Sequence, residues 1–175
     1  MIPLKELPVC KEFHELETAW NKTNNFALKA PTGSGKSIGL PWSINDKELC
    51  SGQILVVQPR RIAAISLARV LSQALGSRIG EKVGYHVRFE NRSSKYSRVI
   101  YVTDGILLNL LASDALLSRV GLVIFDEFHE RSLNIDASLA LVKKVQKNQR
   151  PDLKILITSA TIELDKISSF LPNCK

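Results

Sequence analysis

Phe26-Ala-Leu-Lys-Ala-Pro-Thr-Gly-Ser-Gly-Lys-Ser37 joins a short strand-like run, Phe26–Lys29, to a glycine-rich turn that closes on a lysine and a hydroxyl. Small residues let successive backbone N–H groups turn inward and surround phosphate oxygens. A helix predicted from about Lys36, shortened or kinked by Pro41, adds its positive N-terminal end at the same point. Thr32, Gly33, Ser34, Gly35, Lys36 and Ser37 are therefore the candidate nucleotide-binding residues. Lys36 would meet the β- and γ-phosphates, and the Ser37 hydroxyl would meet Mg²⁺. Ala30 stands where the P-loop pattern has its first glycine, so the turn must begin from an ordinary backbone conformation.

Outward from this stretch, strand-like and helix-like segments alternate. Upstream, Lys5–Asn21 carries Leu7, Phe13, Leu16 and Trp20 in rough helical spacing. Downstream, strands are predicted at 53–58, 83–88, 98–102, 121–125 and 153–158, with Asn91–Ser97 a polar break. Helices are predicted at 60–75, from a cap at Asp104 to about Ser113, at 133–147, and from near Ile162. Strands that are apolar throughout and separated by helices imply a mostly parallel sheet covered on both faces, an α/β doubly wound domain. In such sheets ligands sit beyond the carboxyl ends of the strands. Four suggestive segments fall there: Gly33–Ser37, Thr103–Gly105, Asp126-Glu127 and Ser159–Thr161.

Asp126 and Glu127 follow a continuous apolar strand, where a metal-holding carboxylate is expected. Mg²⁺ takes oxygen ligands and keeps several waters, so Ser37, Asp126 and Glu127 form the candidate metal set, partly through water. Lys36, Asp126 and Glu127 are the candidate catalytic residues, with Glu127 as general base toward an attacking water.

Composition fits these expectations. The 175 residues (19.5 kDa) suffice for one domain, and 45% apolar with 23% charged residues is ordinary globular usage. No apolar stretch is long enough to span a bilayer and no secretory pattern opens the chain, which excludes membrane and exported classes and predicts a cytoplasmic location. Cys10, Cys50 and Cys174 are scattered with no CxxC pair, as expected of unpaired thiols in a reducing compartment. The net charge of +7 sits wholly between Arg60 and Arg98, where nine basic residues face two acidic ones. Charge alone leaves a polyanionic partner and a merely solvated surface evenly matched.

The ordered set Ala30–Ser37, Gln58-Pro-Arg-Arg61, Thr103-Asp-Gly105, Asp126-Glu-Phe-His-Glu-Arg131 and Ser159-Ala-Thr161 resembles superfamily 2 helicase motifs I, Ia, Ib, II and III. The chain is similar to the first RecA-like domain of a DEAH-box (DEAH/RHA) ATPase, and most similar to the bacterial HrpB-type branch. The resemblance implies that residues 1–175 are the helicase ATP-binding domain. It also implies that the second RecA-like domain, with its arginine fingers, and the C-terminal domains lie outside this chain. A finger is worth ~10³–10⁵ in rate, so the isolated domain is expected to be nearly inactive.

The resemblance further implies single-stranded RNA contacts by Arg60, Arg61, Arg88, Thr103, Asp104 and Gly105, and coupling roles for His129, Ser159 and Thr161. ATP and Mg²⁺ follow as cofactors. The implied partners are RNA or DNA, the second RecA-like domain and an activating adaptor. Family members stack adenine on an arginine that falls at Val70 here; Arg69 is one residue, about 100°, away. Two other readings stay open, a DNA translocase of the same superfamily and a nucleotide-responsive interaction module.

Overall fold

Six consecutive residues, Val120–Phe125, are buried without exception, which only a strand covered on both faces achieves. The computed structural model describes residues 3–161, 167, 169–171 and 173–175. Its strands are β1 (Asn25–Lys29), β2 (Gln53–Gln58), β3 (Val83–Val87), β4 (Glu90–Arg92), β5 (Val99–Thr103), β6 (Val120–Phe125) and β7 (Lys154–Ser159). They form one sheet in the order β1-β7-β6-β2-β5-β3-β4, parallel except for the β3–β4 pair. The helices are α1 (Pro8–Lys11), α2 (Phe13–Ala19), α3 (Lys36–Asp46), α4 (Arg61–Ala74), α5 (Asp104–Ser113) and α6 (Leu133–Asn148). The fold is therefore the expected α/β domain.

Alternation along β2 sorts the core into two layers. Ile54 and Val56 join Trp20, Phe26, Tyr85 and Tyr101 on one face; Leu55 and Val57 join Leu107, Phe125 and Leu139 on the other. The outer edge of β1 is bridged by Lys175, whose N–H and carbonyl bond to Asn25 and Ala27.

Three expectations need correction. Lys5–Asn21 is not one helix but a 3₁₀ turn (Leu4–Glu6) followed by α1 and α2. Pro8 pushes Leu7 out of helical space to φ −59°, ψ 134°, and then opens α1 at its first position. The tract after residue 88 is not a plain break: Glu90–Arg92 folds back as β4, a hairpin whose turn holds Phe89 at φ 67°. Asp104 is the first helical residue rather than the cap, which is Thr103. The helix expected from Ile162 starts outside the described residues.

Pro41 lies inside α3 without ending it. Its missing N–H would have bonded the Ser37 carbonyl, four residues back; the buried Tyr101 hydroxyl donates to that oxygen instead, at 2.8 Å.

Candidate functional site

Parallel register places six chemically suggestive segments at one edge. Lys29 pairs with Ser159, Phe125 with Ile157, Val57 with Phe125, Gln58 with Thr103 and His86 with Val102. The residues that follow these strand ends, at 30–37, 59–61, 88, 104–105, 126–130 and 160–161, therefore share the carboxyl edge.

The loop after β1 turns through Gly33 (φ 83°) and Gly35 (φ 80°), conformations that glycine adopts without strain. Ala30 is absent from the positive-φ residues, as its side chain requires. The main-chain N–H groups of Gly33, Gly35, Lys36 and Ser37 find no acceptor among the described residues. Ser34 Oγ is buried and likewise unpartnered. Unpaired amide donors beside an orphaned hydroxyl at a helix N-terminus fit an anionic phosphate chain. Thr32 is exposed on the turn, and Ser37 lies half-buried at the start of α3.

Lys36 is 3% exposed, and its ammonium lies 2.8 Å from Glu127 Oε1. Loop and acidic pair are thus in direct contact. Asp126 directly follows β6, buried, with both carboxylate oxygens held. Oδ2 accepts from Gln58 Nε2 at 2.5 Å; Oδ1 accepts from Thr158 Oγ1 and, at 3.0 Å, from the Glu127 N–H. Glu127 breaks from the strand at φ 50°, which separates its direction from that of Asp126. Its Oε2 lies 3.3 Å from His129 Nδ1, near enough to pair with a protonated ring. The pair is not aligned as a hydrogen bond, so this oxygen is buried with no such partner.

Among the described residues no cluster of three or more His, Cys, Asp or Glu could hold a metal. Ser37, Asp126 and Glu127 are a sparse, all-oxygen set, which suits Mg²⁺ shared with phosphate oxygens and water rather than a caged metal.

The coupling candidates also meet. Ser159 Oγ is 3.2 Å from His129 Nδ1 and accepts from the Thr161 N–H at 3.2 Å. Along the rest of the edge, Arg60 is 72% exposed and clamps Glu130 with two bonds of 3.0 and 2.8 Å. Arg61 approaches Glu90 at 3.7 Å. The carboxyl of Glu90 is held below its ordinary range by the Tyr85 hydroxyl and then by Arg92 and Arg61. Arg88 covers the ring of Phe89, which is 87% exposed. Thr103 occupies the N-cap position of α5 without a side-chain capping bond; Asp104 accepts from the Gly105 N–H and from Ser132 Oγ, each at 2.7 Å. Arg69 lies beside the Tyr85 hydroxyl.

Sequence reasoning missed Thr158 and Glu130 as partners of Asp126 and Arg60, and Phe89 as an exposed aromatic. Only Phe89 had a signal, an aromatic residue inside a basic segment. The single basic cluster also divides. Arg78, Lys82, Lys95 and Arg98 sit at the amino edge, because Lys82 precedes β3 and Arg98 precedes β5. Arg60, Arg61 and Arg88 lie at the carboxyl edge.

Comparison with known proteins gives a consistent picture. The family model DEAD/DEAH box helicase matches residues 14–170. The chain is 43% identical over 169 residues to "ATP-dependent RNA helicase HrpB" of Escherichia coli K12, covering 97% of this chain and 21% of that protein. It is 38% identical over 170 residues to "Probable ATP-dependent RNA helicase DHR2" of Saccharomyces cerevisiae, covering 95% and 23%. The crystal structure of E. coli DExH-box NTPase HrpB superposes with a TM-score of 0.91 at 43% identity, over 96% of this chain and 21% of that one. The chain thus spans about a fifth of these relatives' length.

Proposed function

Because the chain belongs to the DEAD/DEAH box helicase family, we propose that residues 1–175 are the ATP-binding RecA-like domain of an RNA-dependent ATPase. In this reading, ATP hydrolysis drives movement along single-stranded RNA together with a second RecA-like domain. The observation that carries it is the 2.8 Å contact between Lys36 and Glu127, which sets phosphate loop and acidic pair face to face.

Mg²⁺, when bound, neutralises phosphate charge. The free amides of Gly33, Gly35, Lys36 and Ser37 cradle the phosphate chain, and Lys36 moves from Glu127 to the β- and γ-oxygens. Glu127, released from that ion pair, takes the proton of a water attacking the γ-phosphorus; the bond to the bridging oxygen breaks and ADP leaves. Gln58 and Thr158 hold Asp126 in one orientation. Arg60, Arg61, Arg88 and the start of α5 would meet the RNA backbone, with Phe89 offering a face on which a base stacks. His129, Ser159 and Thr161 would link the two functions.

Calorimetric titration with ADP tests the site. Lys36→Ala should weaken binding at least tenfold, and an unchanged affinity would rule out this phosphate loop. Competing RNA against DNA oligonucleotides of one sequence separates the two nucleic acids, since the 2′-hydroxyl is what differs.

A further inference from the structure

The phosphate loop is not shaped by its own residues alone. Residues 7–10 lie along it and along α3. The Val9 N–H donates to the Ser34 carbonyl at 3.1 Å. Leu7 covers Gly35: a Cβ built there would stand 2.9 Å from Leu7 Cδ2. One turn on, a Cβ at Gly39 would stand 2.6 Å from Val9 Cγ1 and 2.9 Å from Cys10 Sγ. One turn further, Ser43 Oγ donates to Cys10 Sγ at 3.4 Å. Residues 35, 39 and 43 form a single stripe, so the segment tracks α3 and the loop as one surface.

The bond to Ser34 matters because a trans peptide is planar, with its carbonyl and N–H pointing in opposite directions. Holding the Ser34 oxygen toward Val9 turns the Gly35 N–H away from α1. That N–H has no acceptor among the described residues. A loop with left-handed glycines at 33 and 35 has little intrinsic resistance to rotating this peptide, so an outside tether must supply it.

We propose that residues 7–10 are a positioning element of the phosphate loop, locking the Ser34–Gly35 peptide so that the Gly35 N–H is presented to a nucleotide phosphate. The inference rests on the nucleotide reading above. It assigns a role in affinity to a segment that the motifs do not include.

The test uses Gly39→Ala, whose added methyl drives into Val9 and Cys10 and lifts α1, and Gly39→Ala/Val9→Ala/Cys10→Ala, which removes both Val9 Cγ1 and Cys10 Sγ from its path. In the nucleotide-free 175-residue chain, Gly39→Ala should lose exchange protection at the Val9 amide and shift the Gly35 N–H resonance. It should bind ADP at least tenfold more weakly, and the triple variant should recover most of that loss. Leu7→Ala, which adds no atoms, should shift the same resonance and weaken ADP at least threefold. A lower melting temperature with the Gly35 resonance and ADP affinity unmoved would show a merely structural role and overturn the proposal. Wild-type chain that binds no ADP would overturn the nucleotide reading and the proposal with it, before any variant is made.

Discussion

Cys50 shows how burial decides the chemistry of a single side chain. It lies under the sheet with its thiol against the Ser51 carbonyl, and burial pushes its pKa up to about 11 despite Arg98 and Lys154 nearby. At pH 8 about one molecule in a thousand carries the thiolate, the reactive form. Native protein should therefore alkylate at Cys50 far more slowly than unfolded protein, as mass spectrometry of iodoacetamide-treated samples would show; equal rates would contradict the buried placement. The sign for stability follows from linkage. The unfolded thiol loses its proton first, so this contribution is complete below pH 9 and declines as pH rises toward 11. Residue-scale legibility was uneven. The meeting of Lys36 with the acidic pair was readable because a glycine loop and a strand end at one sheet edge restrict where such residues lie. Thr158 was not, because a hydroxyl near the end of an apolar strand carries no mark of the carboxylate it faces across the sheet.

At the scale of elements, α3 and β5 are joined by an exchange of one donor for another. Pro41 deprives the Ser37 carbonyl of its helical partner, and Tyr101, reaching from the sheet, replaces it. Tyr101→Phe should cost about 1–2 kcal/mol in urea denaturation, the range for a lost buried hydrogen bond. The same substitution in a Pro41→Ala background should cost much less, since the helix then supplies its own N–H. Equal costs in both backgrounds would mean that the hydroxyl does not compensate for the proline. The sequence announced the proline and predicted a short or kinked helix, but the compensating residue lies 60 positions on. Likewise β4 escaped notice because three polar residues in a polar tract have no periodicity to read.

For the whole molecule, charge placement matters more than charge total. Composition located the +7 excess in one stretch of chain, yet parallel strands carry that stretch repeatedly from one edge of the sheet to the other. Contiguity in sequence therefore became separation in space. If Arg60, Arg61 and Arg88 engage three phosphates, RNA affinity should fall with salt with a log–log slope of about −2. Replacing Lys95 and Arg98 together by Gln should leave that slope unchanged, whereas Arg60→Gln should reduce it by about 0.7. Fluorescence anisotropy with a single-stranded oligonucleotide between 50 and 200 mM salt measures both; a slope that follows the amino-edge residues would relocate the interface. The sheet order itself was out of reach of the sequence. Alternating segments imply parallel strands but not which pair, and the mutual contact of loop and acidic pair depends on β7 lying beside β1 and β6 beside β7.

The two margins of that sheet are closed by unlike means. One ends in a three-residue ribbon running against its neighbour and carrying Arg92; on the other the main chain of Lys175 takes up hydrogen-bonding groups of Asn25 and Ala27. Among the described residues neither margin offers a long flat row of free amides and carbonyls on which another copy could template itself. A fold whose strands are almost wholly greasy thereby keeps its stickiest material away from intermolecular zippering.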